Sequence, residues 1–266
     1  MDIKPTSSAV PPPLVPSVPP VYGLQPLGEI PEEREPIPNV ITAVEAILRQ
    51  PRRVMYQLRQ ANSGRLMGSM LLVAILCSLI YGVVVGTFSM GDQIWAAPVK
   101  IAGGLLFSAL ICLPSLYIFT CLSGSQARLS EICGLVAGLL LLMTILLIGF
   151  APVAWLFSTS TESINWMGAL HLIFWFIATF FGLRFLSSAF AHSRARSVAG
   201  LNTWIIIFVL VVVQMTTALR PIVGKAPTFL PKEKKFFLTH WSDCLNAAEA
   251  PKKSAGQPGQ SASVRD

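Results

Sequence analysis

Five stretches of the chain run for about twenty residues without Asp, Glu, Lys or Arg: roughly 67–90, 101–121, 132–157, 163–183 and 201–219. A helix needs ~20 apolar residues to cross the hydrocarbon core of a bilayer, and each stretch meets that length. The links between them, residues 91–100, 122–131, 158–162 and 184–200, are short, which makes consecutive spans antiparallel neighbours. The pattern predicts an all-α fold, a polytopic membrane bundle of five transmembrane helices.

The pattern ahead of the first span differs. Residues 1–38 are rich in proline and poor in large apolar side chains, which predicts a disordered or polyproline arm. The arm is expected to serve as a solvated tether, with docking to an aromatic groove as the alternative. It lacks the basic start, apolar run and cleavage site of a secretory signal, so the first span is expected to direct insertion. Within residues 39–66, Val40, Val44, Ile47 and Leu48 recur at helical spacing, Asn39 or Thr42 can cap the helix, and Thr42 with Glu45 fits a capping box. Pro51 interrupts this helix. Val54 and Leu58 then continue the apolar stripe, while Arg49, Arg52, Arg53, Arg59 and Arg65 supply cations. Such a helix is expected on the membrane surface, apolar side down and arginines at anionic lipid headgroups. A simple flank that stops and orients the first span is the alternative. Residues 67–219 form the transmembrane domain. Residues 220–266 form a polar and aromatic tail with a disordered end.

Composition agrees with lipid as the main solvent, since 53% of the 266 residues are hydrophobic and 12% charged. Soluble domains carry roughly 25% charged residues. The 20 Lys and Arg against 13 Asp and Glu give a formal charge of +7. Most of these cations lie at the ends of apolar runs, where they meet headgroups and set orientation, so nucleic acid is not expected as a partner. Of the five cysteines, Cys77, Cys112, Cys121 and Cys133 fall in or beside apolar runs and read as inert thiols. No zinc-ligand spacing is present, and neither a metal nor a cofactor is expected.

Counting Lys and Arg beside the spans gives an orientation. The five arginines before the first span, Arg128, Arg184, Arg194 and Arg196 share one side; the loops of the other side hold only Lys100. The positive-inside rule therefore puts the N-terminus in the cytoplasm and, after five spans, the C-terminus outside. Trp95, Trp155 and Trp166 fall on the outer side, as an interfacial belt would. The cations after the last span, Arg220, Lys225, Lys232, Lys234 and Lys235, oppose this, although earlier helices usually dominate.

Gly82 with Gly86, and Gly134 with Gly138, each make a Gly-x-x-x-Gly, which lets helices approach closely where lipid supplies no hydrophobic drive. Packing within one chain is expected, with a homo-oligomer as the alternative. Pro114 and Pro152 each remove a backbone donor inside a span and are candidate kinks. Polar groups at membrane depth are few, chiefly His171, Gln214, Thr216 and Thr217. His171 reads as a packed or interhelically bonded histidine, and Arg220 as an anchor at the outer interface. His240, Ser242, Asp243 and Cys244 lie too close along the chain to assemble a triad, and no catalytic residue is expected.

A Pro-rich arm, then "ILRQPRRVMYQL", then five closely spaced spans resembles the Yip family of five-span membrane proteins. "APVKIAGGLLFSALICLPSLYIFTCLSG", with Pro98 and Pro114, is similar to the second-span region of bacterial members. "VQMTTALRPIVG" is similar to the end of the last span in a bacterial branch. The resemblance covers about residues 40–225. It implies a non-enzymatic membrane scaffold, adaptor or membrane-organising protein, with a protein partner at the cytoplasmic N-terminal region. It implies a bacterial inner membrane, or an ER or Golgi membrane in a eukaryote. A small transporter or channel component is the alternative function.

Overall fold

Where water is excluded, a backbone satisfies its own polar groups only by forming a helix or a closed barrel, and the long apolar runs of this chain form helices. The computed structural model describes residues 25–60, 63–89, 93–125, 127–160, 164–192 and 199–218, and these residues are helical without any strand. Five helices are long and apolar enough to cross a membrane: α4 (Gly64–Ser89), α5 (Gln93–Leu122), α6 (Leu129–Ser160), α7 (Ile164–Ala191) and α8 (Ala199–Ala218). Three shorter helices precede them, α1 (Pro31–Arg34), α2 (Val40–Arg49) and α3 (Pro51–Leu58).

The spans pack in the spatial order α8, α5, α4, α6, α7. α6 is the most buried of the five spans: Gly134, Ala137 and Gly138 on its first turns and Leu139, Met143 and Leu147 beyond them are all buried. The outward rows, such as Leu72, Leu76 and Ile80 of α4 or Ile173, Phe176 and Phe180 of α7, are exposed and apolar. In a bilayer those rows meet acyl chains. Since lipid is as apolar as leucine, close packing and internal hydrogen bonds hold the bundle together. Buried hydroxyls are satisfied within their own helices: Ser108 and Thr120 each donate to the carbonyl four residues back at 2.7 Å, and Thr144 does so at 2.9 Å. Between helices, the Trp204 indole N–H of α8 donates to the Cys112 carbonyl of α5 at 2.8 Å.

The glycine pairs pack within the chain. Gly82 of α4 lies against the backbone of Pro98 on α5, so close that a Cβ would overlap it. Gly86 is buried one turn on. Gly134 receives Leu58 of α3, and Gly138 receives Phe185 of α7 and Ile47 of α2. α5 and α6 each continue as one helix through Pro114 and Pro152, both of which are exposed on the outside of the bundle.

Two span ends differ from expectation. α5 begins at Gln93, eight residues before the expected start, so Lys100 is inside the helix and 2% exposed instead of in a loop. α7 continues past Arg184 to Ala191, because Phe185, Leu186, Ala189 and Phe190 still bury one face while Arg184 points outward. A single cation on the solvent side does not end a helix whose other side keeps packing.

The region before the first span departs further. Ala43, Ala46 and Ile47 of α2 and Val54, Met55 and Leu58 of α3 are buried in the same core as α4 and α6. Their apolar stripe therefore covers one end of the bundle and is not laid wholly on lipid. The hollows left by Gly134 and Gly138 explain this, since they admit Leu58 and Ile47. α2 keeps a second apolar flank, with Ile41 81% and Leu48 48% exposed. The capping box does not form. α2 starts at Val40 after Asn39, and Glu45 instead lies 3.4 Å from Arg49.

Candidate functional site: a latched platform and a polar seam

The stretch from residue 25 to 38 belongs to the expected disordered arm, yet it is laid along α3. A segment with no ladder of its own must find partners for its carbonyls. Here α3 supplies them. Arg52 Nη2 donates to the Gln25 and Pro26 carbonyls at 3.1 and 3.2 Å. Arg53 donates to Glu35 at 3.2 Å and to Pro36 at 3.0 Å, and Gln57 Nε2 to Glu35 at 2.9 Å. Arginine suits this task because its planar fork presents five fixed donors.

Glu33 lies at the centre of this latch and is 4% exposed. One carboxylate oxygen accepts from Arg52 Nε, the other from the Gly28 amide. Gly28 has φ +93° and sits under the Tyr56 ring, so both its backbone and the space above it require glycine. Arg52 Nη1 also meets His192 Nε2 at 3.3 Å, at the end of α7. His192 Nδ1 is 2.7 Å from the Ser188 carbonyl, to which it donates, leaving Nε2 of a neutral ring to accept from Arg52. Burial by itself raises the Glu33 pKa. The Arg52 hydrogen bond, the Gly28 amide and the charge of Arg52 outweigh it and hold the carboxyl below its usual range. A second ion pair, Arg59 Nε to Glu131 at 3.0 Å, ties α3 to the first turn of α6, where a carboxylate also complements the helix dipole.

Residues 25–60 thus form a platform on one end of the bundle. The starts of α4, α6 and α8 and the ends of α5 and α7 share that end by chain direction. Trp95, Trp155 and Trp166 are exposed at the opposite end, 82%, 56% and 75%.

Of the five arginines expected at lipid phosphates, Arg49 and Arg65 are exposed. Arg52, Arg53 and Arg59 are turned into protein contacts, which corrects the expectation for those three. The expected anchor Arg220, the tail 220–266 and residues 1–24 of the arm lie outside the described residues.

Inside the spans, Tyr81 Oη of α4 and His171 Nδ1 of α7 are 2.8 Å apart, both buried, so His171 is the interhelically bonded histidine expected. Its Nε2 has no hydrogen-bond partner among the described residues. The ring also meets Phe174 edge-on, and Phe174 stacks on Phe150 of α6. Lys100 lines a cavity of about 40 Å³ with Ser108, Trp175 and Thr216. A neighbouring cavity of about 20 Å³ shares Trp175, Val212 and Thr216 with it. Each has room for one or a few waters and no larger enclosed solute.

Glu33, His192, Tyr81 and buried Lys100 are the residues that sequence reasoning missed. The first three find partners far along the chain, and no local spacing announces them. Lys100 does carry a signal, because Lys100, Gly104 and Ser108 recur every fourth residue, as one face of a helix starting earlier would. No protein-family model, curated protein or solved structure matches the chain.

Proposed function

We propose that this multi-pass membrane protein is a non-enzymatic scaffold or adaptor of the Yip type, which holds its N-terminal arm at the cytoplasmic membrane surface for a protein partner. The latched platform carries this reading. Ion pairs and carbonyl contacts fasten residues 25–38 to α3, and α3 to α6, which fixes the position of Gln25 on the bundle. The exposed flank of α2, with Ile41, Leu48 and Arg49, rests on anionic headgroups and sets the platform's height. The expected N-terminus-in orientation puts this surface where cytoplasmic partners reach it.

Comparative purification from membranes in mild detergent tests the reading, using the full chain, a version lacking residues 1–24 and Arg52→Ala. A specific partner held by the full chain, lost without residues 1–24 and weakened by Arg52→Ala supports it. Equal recovery with all three contradicts it. A small transporter or channel component is the second reading, favoured by Lys100 and the Tyr81–His171 pair, because buried polar groups in spans often mark solute paths. An ion flux in proteoliposomes that requires Lys100 or His171 would put this reading first.

A further inference from the structure

Trp155 of α6 and Trp166 of α7 are exposed at the end opposite the platform, where they mark one edge of the hydrocarbon layer. A layer of ~30 Å takes about 20 helical residues at ~1.5 Å each. Counted from the two tryptophans, the other edge falls near Leu135 on α6 and near Leu186 on α7. The two rulers agree in space, because Phe185 packs on Gly138. Ile47 of α2 meets the same Gly138, so α2 lies at the edge of the hydrocarbon on the platform side.

Around its circumference, at about 100° per residue, α2 has three sectors. Ala43, Ala46 and Ile47 face the core. Thr42, Glu45 and Arg49 make a polar sector, in which Glu45 and Arg49 pair at 3.4 Å. Between these, Val40, Val44, Leu48 and Ile41 make an apolar sector about 100° wide. Ile41 is 81% exposed there, Leu48 48% and Val40 41%. A sector with protein on one flank and polar side chains on the other, at this depth, has acyl chains as its remaining solvent. α4, on which α2 packs, meets the same lipid through Leu72, Leu76 and Ile80.

We infer that α2 is a shallow wedge in the leaflet on the platform side, and that through it the protein senses membrane curvature, gathering where that leaflet is convex and its chains loosely packed. A helix inserted at the headgroup–acyl boundary spreads one leaflet alone, and spreading costs less where bending has already done it. The spans hold the chain in any bilayer, so α2 does not decide attachment; it decides between flat and curved regions of one membrane. Ala43, Ala46 and Ile47 seat α2 in the core and keep the wedge in place. The inference takes the contact of α2 with the membrane from the adaptor reading but needs no protein partner, so either can fail alone.

Tubes pulled from giant vesicles test it. The full chain is reconstituted in dioleoylphosphatidylcholine and labelled on an N-terminal tag with a membrane-impermeant dye, so that only molecules with the platform in the outer leaflet are seen. The protein-to-lipid signal on the tube should exceed that on the parent vesicle about twofold or more. Ile41→Ser combined with Leu48→Ser should bring the ratio to about one, whereas Ile41→Leu combined with Leu48→Ile keeps the enrichment. A ratio of about one or less for the unaltered protein overturns the inference, whatever the variants do. Enrichment kept by the double serine variant would assign the sorting to the spans, and enrichment that appears only as protein density rises would assign the flank to a second copy; either overturns it.

Discussion

Replacing Arg52 with Ala isolates the latch. The change removes the partner of Glu33, the donor to the Gln25 and Pro26 carbonyls and the contact to His192. Removing one member of a fully buried pair costs ~3–5 kcal/mol, while an exposed pair is worth ~0–1 kcal/mol. Here the Glu33 side chain is 5% exposed but that of Arg52 28%, so solvent screens part of the loss. A cost of about 2 kcal/mol follows, intermediate between those limits. The loss is local, because the core under α2 and α3 does not include Arg52. Each ~1.4 kcal/mol is tenfold in population, so the detached state of residues 25–38 should rise roughly 30-fold. Hydrogen exchange in detergent micelles reads this directly. The Gly28 amide should lose about 30-fold in protection, with α4 and α6 unchanged. Arg52→Lys should lie between, since an ammonium keeps the charge but cannot bridge carboxylate and carbonyls as a fork does. Unchanged protection at Gly28, or an equal loss throughout α6, would refute the latch.

Acid should release the same segment. Glu33 has its folded pKa lowered from 4.5, so its ionised form stabilises the latch fully above that value and progressively less as pH falls through the lower folded one. Exchange at Gly28 should therefore accelerate below about pH 4.5, and Glu33→Gln should remove the dependence. Gly82→Leu forces a side chain into the Pro98 backbone and should lower stability by about 1–3 kcal/mol, whereas Gly149→Ala, with open space around it, should not; thermal melts in detergent compare them. Tyr81→Phe and His171→Phe should each cost about 0.6 kcal/mol, up to ~1.7, and the double variant less than their sum; additive losses would mean the pair does not interact.

The five spans were legible because charge is nearly absent for twenty residues at a time, and no soluble helix has that character. Their ends were less legible. Lys100 and Arg184 look like boundaries to a reading that stops at charge, but a helix stops where packing and backbone partners stop. His171 was legible as a packed polar residue, though its partner Tyr81, 90 positions away, was not. The stripe from Val40 to Leu58 showed that one face is apolar without showing what covers it. Lipid and Gly134 pose the same demand on Leu58, and only the fold distinguishes them. The order in residues 25–38 was hidden because Glu33 and Arg52, 19 positions apart, each look like an ordinary solvated charge.

Topology reporters test most directly the placing of the platform on the cytoplasmic face of a five-span bundle. Alkaline phosphatase fused after Ser261 should be active in bacterial cells, and the same enzyme fused ahead of Met1 inactive, with a fluorescent reporter showing the reverse. Both ends reporting the same side would remove the odd number of spans, and the reversed pattern would put the platform outside.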